Sequence, residues 1–162
     1  LGLLANFTTD QKSYFLINQI NNYYKDIKTY VKKDWVDIAV FGDFNLPTYR
    51  DKLFAHFHFQ EAWDATDRTL VAFDLNMAQY LINILTTKPK FFFLDDLEWH
   101  RINPKQYEQL NTIYNNKELN IICRSQDHAD LFTQCWNRPI YSIINNYKLN
   151  EFLKLTEVSH VT

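Results

Sequence analysis

Apolar residues recur along this chain in two alternating rhythms: short unbroken runs of strand length, and longer stretches at helical spacing. The short runs are Leu1–Asn6 (LGLLAN), Val36–Phe41, Leu70–Phe73, Phe91–Leu94, Leu119–Cys123 and Pro139–Ile143. Runs of this length without polar interruption predict strands covered on both faces. Between the first two runs, Leu16, Ile17, Ile20, Tyr24, Ile27 and Val31 fall on one helical stripe. Thr8, three residues ahead of Gln11, predicts a capping box where that helix begins. Asp74 and Asn76 offer N-caps for a helix over Ala78–Leu85, and Asn103-Pro104 with Gln106 starts one running to about Lys117. Ser125 caps a helix reaching Trp136, and Leu149–Leu155 closes the series as a short helix.

The segment from Phe44 to Arg68 is less regular. Within it Ala55, Phe57 and Phe59 alternate with His56 and His58, which predicts a strand with one polar side near a sheet edge. Strands alternating with helices over short connections build right-handed βαβ units. The predicted fold is therefore α/β, a three-layer Rossmann-like domain with a mostly parallel sheet and helices on both faces. A chain of 162 residues is the size of one domain. Because the run at Leu1 already reads as a strand and carries no initiator Met, the expectation is a fragment of a longer protein.

Composition narrows the function. Gly2 and Gly42 are the sole glycines, too few to write either G-x-G-x-x-G or G-x-x-x-x-G-K-[ST], so a conventional dinucleotide fingerprint and a P-loop are excluded. The formal charge of −2 provides no basic field for nucleic acid. No run approaches the roughly 18 apolar residues of a membrane span, and no charged leader precedes an apolar segment. A soluble, cytoplasmic protein without a membrane partner is expected. Cys123 and Cys135 read as small buried hydrophobes and not as a disulfide framework.

In parallel α/β sheets, ligands sit at the carboxyl ends of the strands. That edge is predicted to gather Thr8 and Thr9, Asp43, Asp74, Asp95, Asp96, Glu98, His100, Arg124, Ser125, Asn145 and Asn146. His100 and Asp96 are the catalytic candidates, since an imidazole with an ordinary pKa of about 6.5 suits a general base. Thr8, Thr9, Asp43, Asp74, Glu98, Arg124 and Ser125 are the substrate-binding candidates. Arg124 adds the planar fork that matches a carboxylate or phosphate. Helix capping alone accounts for Asp, Ser and Thr at such positions equally well. His56 and His58 lack a third ligand identifiable by spacing, and Asp95-Asp96 has no diagnostic metal spacing. No metal and no cofactor are predicted.

Two stretches, FFFLDDLEWHR (Phe91–Arg101) and NIICRSQDHADLFTQCWNRPIYSIINNY (Asn120–Tyr147), resemble the N-terminal half of GT-B glycosyltransferases. There a strand ends in an "xDLEW"-type loop, and a later strand ends in a small hydroxyl residue before a helix. The resemblance implies an acceptor-binding lobe that needs no metal, with a sugar or nucleotide sugar as ligand and a separate donor-binding domain or protein as partner. It places Asp96, Glu98, His100, Arg124 and Ser125 along the interdomain cleft. The chain departs from the family where Asn6-Phe7-Thr8-Thr9 replaces the Gly-rich loop after the first strand, and where the donor-binding half is missing. Such a domain alone is expected to be inactive. Two other readings stay open: a non-catalytic protein-interaction module using exposed aromatics, and a small metal-dependent phosphate-binding enzyme. The latter needs Asp43, Asp74 and Asp95 to converge on one cation.

Overall fold

The protein is described from a computed structural model covering residues 1–5, 11–29, 35–43, 52–97, 99 and 103–157. Seven strands, β1 (Gly2–Leu4), β2 (Ala39–Phe41), β3 (Ala55–Phe57), β4 (Leu70–Ala72), β5 (Lys90–Leu94), β6 (Leu119–Cys123) and β7 (Ser142–Ile143), form one sheet. Its order is β3-β2-β1-β4-β5-β6-β7, and every pairing is parallel. Among the described residues five α-helices accompany it: α1 (Gln11–Thr29), α2 (Leu75–Asn83), α3 (Pro104–Tyr114), α4 (Gln126–Trp136) and α5 (Leu149–Lys154).

Unbroken apolar strands require cover on both faces, and β5 shows how the two-residue period delivers it. Phe92 and Leu94 join a core with Met77, Ala78 and Leu81 of α2, Leu110 and Ile113 of α3, and Phe132 of α4. Phe91 and Phe93 point the other way, into a core with Leu16, Ile17 and Ile20 of α1 and Leu149 and Phe152 of α5. The result is a three-layer Rossmann-like domain, α1 and α5 on one face and α2, α3 and α4 on the other. Each of these phenylalanines is essentially inaccessible to water, a burial that stabilises the fold by roughly 2–3 kcal/mol per ring.

Element ends follow local chemistry. The helix expected from Ala78 begins a turn earlier, at Leu75, because the Asp74 carboxylate accepts from the Met77 N–H at 2.9 Å. Asn103 and Gln106 form the expected reciprocal box at α3, whose helix stops at Tyr114 and not near Lys117. The predicted run Pro139–Ile143 contracts to Ser142–Ile143, with Tyr141 N–H opening the ladder to Ile121 O at 2.7 Å. Thr8 and its capping box, and Val31, lie outside the described residues.

The Ala55–Phe59 alternation is cut short. β3 is an edge strand, as expected, but ends at Phe57; His58 then caps a 3-10 turn over Phe59–Asp64. Ala55 and Phe57 are more exposed than His56, because an edge strand is only partly covered, although Phe57 still stacks on Phe41 with centroids 5.5 Å apart. At the neighbouring strand, Tyr24 accepts from Ile38 N–H at 2.8 Å and Tyr23 accepts from Val36 N–H at 2.8 Å, so α1 pins the entry to β2. Burial, together with the nearby Asp37 carboxylate, pushes the Tyr24 phenol up to about 12.

Both glycines serve packing. A Cβ on Gly42 would stand 2.2 Å from the Ala5 carbonyl oxygen, so only a hydrogen lets β2 leave the sheet this close to β1. Among the described residues, no helix is long and apolar enough to cross a membrane.

Candidate functional site

The chain runs outward from β1 to β3 and then restarts at β4 on the other side of β1, so the strand order reverses between β1 and β4. The loop after β1, with Thr8 and Thr9, lies outside the described residues, as do Glu98 and His100. The described edge opens instead at the carboxyl ends of β5, β6 and β7, into a cleft of about 590 Å³. Among the described residues its lining is Phe15, Asp95, Arg124, Ser125, Asn145, Asn146 and Tyr147.

Each lining residue is set there by its element. Asp95 is the first residue past β5, and Arg124 the first past β6; Arg124 N–H bonds to Leu94 O at 3.3 Å, continuing the sheet ladder by one step. Arg124 Nη1 then lies 3.6 Å from Asp95 Oδ1, with the arginine side chain 44% exposed and the carboxylate 15% exposed. Ser125 caps α4, its Oγ accepting from His128 N–H at 3.3 Å. Beyond β7, Asn145–Tyr147 forms a 3-10 turn in which Asn146 and Tyr147 both take left-handed φ values of 52°. Asn tolerates that region, whereas a bulky residue there is strained.

What holds the strained turn is a pair of hydrogen bonds from the opposite end of the sequence. Gln19 of α1 donates to Tyr147 O at 2.7 Å and accepts from Leu149 N–H at 3.1 Å. The Tyr147 ring packs parallel to Phe73 at 6.2 Å and edge-on to Phe93 at 5.0 Å. Phe15, one position off the buried stripe of α1, is 50% exposed beside an exposed Tyr14.

Of the sequence candidates, Arg124 and Ser125 come together in the cleft. Asp96 does not line it: its Oδ1 accepts from Leu97 N–H at 2.8 Å, a local turn, while the neighbouring Asp95 takes the cleft position. Asp43 sits at the end of β2, 3.5 Å from His58 Nε2. Asp74 is occupied as the α2 cap. Asp43, Asp74 and Asp95 do not form a shared cation site, and among the described residues no three His, Cys, Asp or Glu side chains are grouped to hold a metal. His56 and His58 are likewise separated in role, His56 Nδ1 lying 2.7 Å from Lys52 Nζ while His58 caps its turn.

Phe15 and Tyr147 were not among the sequence candidates. The signal for Phe15 is an apolar side chain off the helical stripe of Leu16, Ile17 and Ile20; for Tyr147 it is an aromatic closing the polar pair Asn145-Asn146 just past a strand. One further group borders the site. His128, in the first turn of α4, has a half-buried ring whose Nδ1 meets no hydrogen-bond partner among the described residues. Burial pushes this imidazole below its ordinary value and the Arg124 charge adds to the effect, outweighing the carboxylates of Asp95, Asp96 and Asp127. Cys123 supplies no nucleophile: burial pushes its thiol up to about 12.

The arrangement offers one carboxylate, one guanidinium, two amides and a hydroxyl beside aromatic surface. That is the chemistry of a site for a small polar ligand with an apolar face. In comparisons with protein-family models, curated proteins and solved structures, the chain finds no match.

Proposed function

We propose that this chain is the acceptor-binding lobe of a two-lobed, GT-B-like glycosyltransferase, holding a saccharide at the carboxyl ends of β5, β6 and β7. One observation carries the reading. The two stretches that resemble such lobes, Phe91–Arg101 and Asn120–Tyr147, are separate in sequence yet contribute six of the seven described residues that line the cleft: Asp95 from the first, and Arg124, Ser125, Asn145, Asn146 and Tyr147 from the second. The all-parallel Rossmann-like sheet is compatible with that role but does not by itself assign it.

In this reading Asp95, and not Asp96, is the carboxylate that accepts the proton of the attacking sugar hydroxyl. Arg124 lies beside that carboxylate at 3.6 Å, and the Phe15 and Tyr147 rings cover the apolar C–H face of the sugar. A donor lobe closing over the cleft would also cover the exposed Tyr14 and Phe15. The chain alone binds and does not transfer.

Saturation-transfer NMR against a panel of methyl glycosides tests this. Transfer to sugar C–H protons is expected for the parent chain and is expected to be lost in a Phe15→Ala/Tyr147→Ala double variant that keeps its fold. No transfer to any glycoside, or transfer unaffected in the double variant, overturns the reading.

A further inference from the structure

We infer that Gln19, which is not among the residues lining the cleft, is its positioning residue. Its single carboxamide on α1 holds Asn145–Tyr147 in the left-handed shape that gives the cleft its asparagine and tyrosine wall. The inference rests on the cleft being the binding site proposed above and adds the residue that shapes it.

The local chain does not supply what holds this turn. Asn146 and Tyr147 follow one another at φ 52°, a region that asparagine tolerates and a bulky residue does not favour. Ile144 and Lys148, at the N-cap positions of the turn and of α5, make no side-chain cap hydrogen bond. Leu149 N–H, the first amide of α5, belongs to the donors that a helix leaves unpaired at its start. Gln19 Oε1 accepts from it at 3.1 Å, and the Nε2 end of the same side chain donates to Tyr147 O at 2.7 Å.

A carboxamide suits this role because it carries a donor and an acceptor on one neutral group. Gln19 is half-buried beside Ile20, which packs in the core, so the amide projects from a fixed helix. Phe15 stands four residues earlier on the same face of α1, so one helix carries both a cleft ring and the clamp on the turn. Without the clamp the turn relaxes toward negative φ, and Asn146 and Tyr147 leave their cleft positions. A binding-competent state populated at about a tenth raises the apparent Kd about tenfold.

The test has two arms, applied to the 162-residue chain and to Gln19→Met and Gln19→Glu. The first is ¹⁵N-edited NOESY of the free protein. A left-handed φ brings a residue's own amide and Hα protons close, so strong intraresidue cross-peaks are expected at Asn146 and Tyr147 in the parent chain and weak ones in Gln19→Met. In Gln19→Glu the carboxylate still accepts from Leu149 N–H but has no proton for Tyr147 O. Its cross-peaks are expected to be weak at about pH 7 and to recover at about pH 4.5, where protonation of the introduced carboxyl restores a donor. The second arm is saturation-transfer NMR at about pH 7 with methyl β-D-glucoside, methyl β-D-galactoside, methyl α-D-mannoside and methyl β-D-glucuronide, in which Gln19→Met is expected to bind about tenfold more weakly than the parent. Unchanged cross-peaks in Gln19→Met overturn the inference whatever the chain binds. Lost cross-peaks with unchanged glycoside affinity also overturn it and leave the saccharide reading standing. No transfer to any of the four from the parent chain overturns the saccharide reading and the positioning role with it.

Discussion

The two edges of the sheet treat their cations differently. At the amino edge, Lys90 is buried and donates to Ile82 O at 3.2 Å, with Glu118 at 3.5 Å. Arg138 donates to the carbonyls of Tyr114 and Leu119, tying the end of α3 to the start of β6. Arg68 meets the Asp37 carboxylate at 2.7 Å. At the carboxyl edge, the Arg124 guanidinium has one loose approach to Asp95 at 3.6 Å and makes no side-chain hydrogen bond among the described residues. Cations of the same type are engaged in holding the fold at one end and left facing solvent at the other. That contrast, more than the presence of charge, is what supports the proposal of a ligand at the carboxyl edge.

Substitutions can break the contrast, and the largest effect is expected where the carboxyl edge is structural after all. Gly42→Ala forces a methyl against the Ala5 carbonyl and is expected to cost about 3 kcal/mol, read by urea denaturation. Next comes the direct comparison of the two arginines. Arg138→Ala removes hydrogen bonds from two carbonyls and should lower stability by about 2 kcal/mol. Arg124→Ala should change it by less than about 0.5 kcal/mol. Similar losses for both would dissolve the distinction between the edges. Gln19→Ala frees the strained Asn145–Tyr147 turn and is expected to cost about 1 kcal/mol, while weakening saccharide binding more than a remote change of equal stability effect.

The smallest effect is one of pH. Burial of Asp37 acts to raise its carboxyl, but hydrogen bonds from Arg68 and Tyr24 outweigh it, and the group titrates below its ordinary value. A depressed folded pKa means that its contribution is intact above the unfolded value of about 3.9 and is lost as pH falls through the folded one. Acid unfolding should therefore become less steep below about pH 4 in Asp37→Asn; an unchanged acid limb would show that the Arg68 contact contributes nothing.

Much of the fold was legible because buried parallel strands leave unbroken apolar runs, such as Phe91–Leu94, and because caps such as Asp74, Asn103 and Ser125 act locally. The end of β3 was not, because the alternation through His58 and Phe59 continues the strand pattern while the reciprocal bonds of His58 and Glu61 turn the chain. The cleft was legible in part. Arg124 and Ser125 follow directly from a strand running into a helix. The choice between Asp95 and Asp96 turns on one residue of phase at a strand end, which periodicity does not resolve, and Gln19 reaches Tyr147 across 128 positions by tertiary packing alone.

The most direct test of the cleft is a ¹H–¹⁵N NMR titration of the chain with methyl β-D-glucuronide. Perturbations are predicted at the amides of Asp95, Arg124 and Ser125 and at the side-chain amides of Asn145 and Asn146, with the Lys90, Arg138 and Arg68 environments unmoved. Perturbations centred on that amino edge, or none at any residue, would contradict the account.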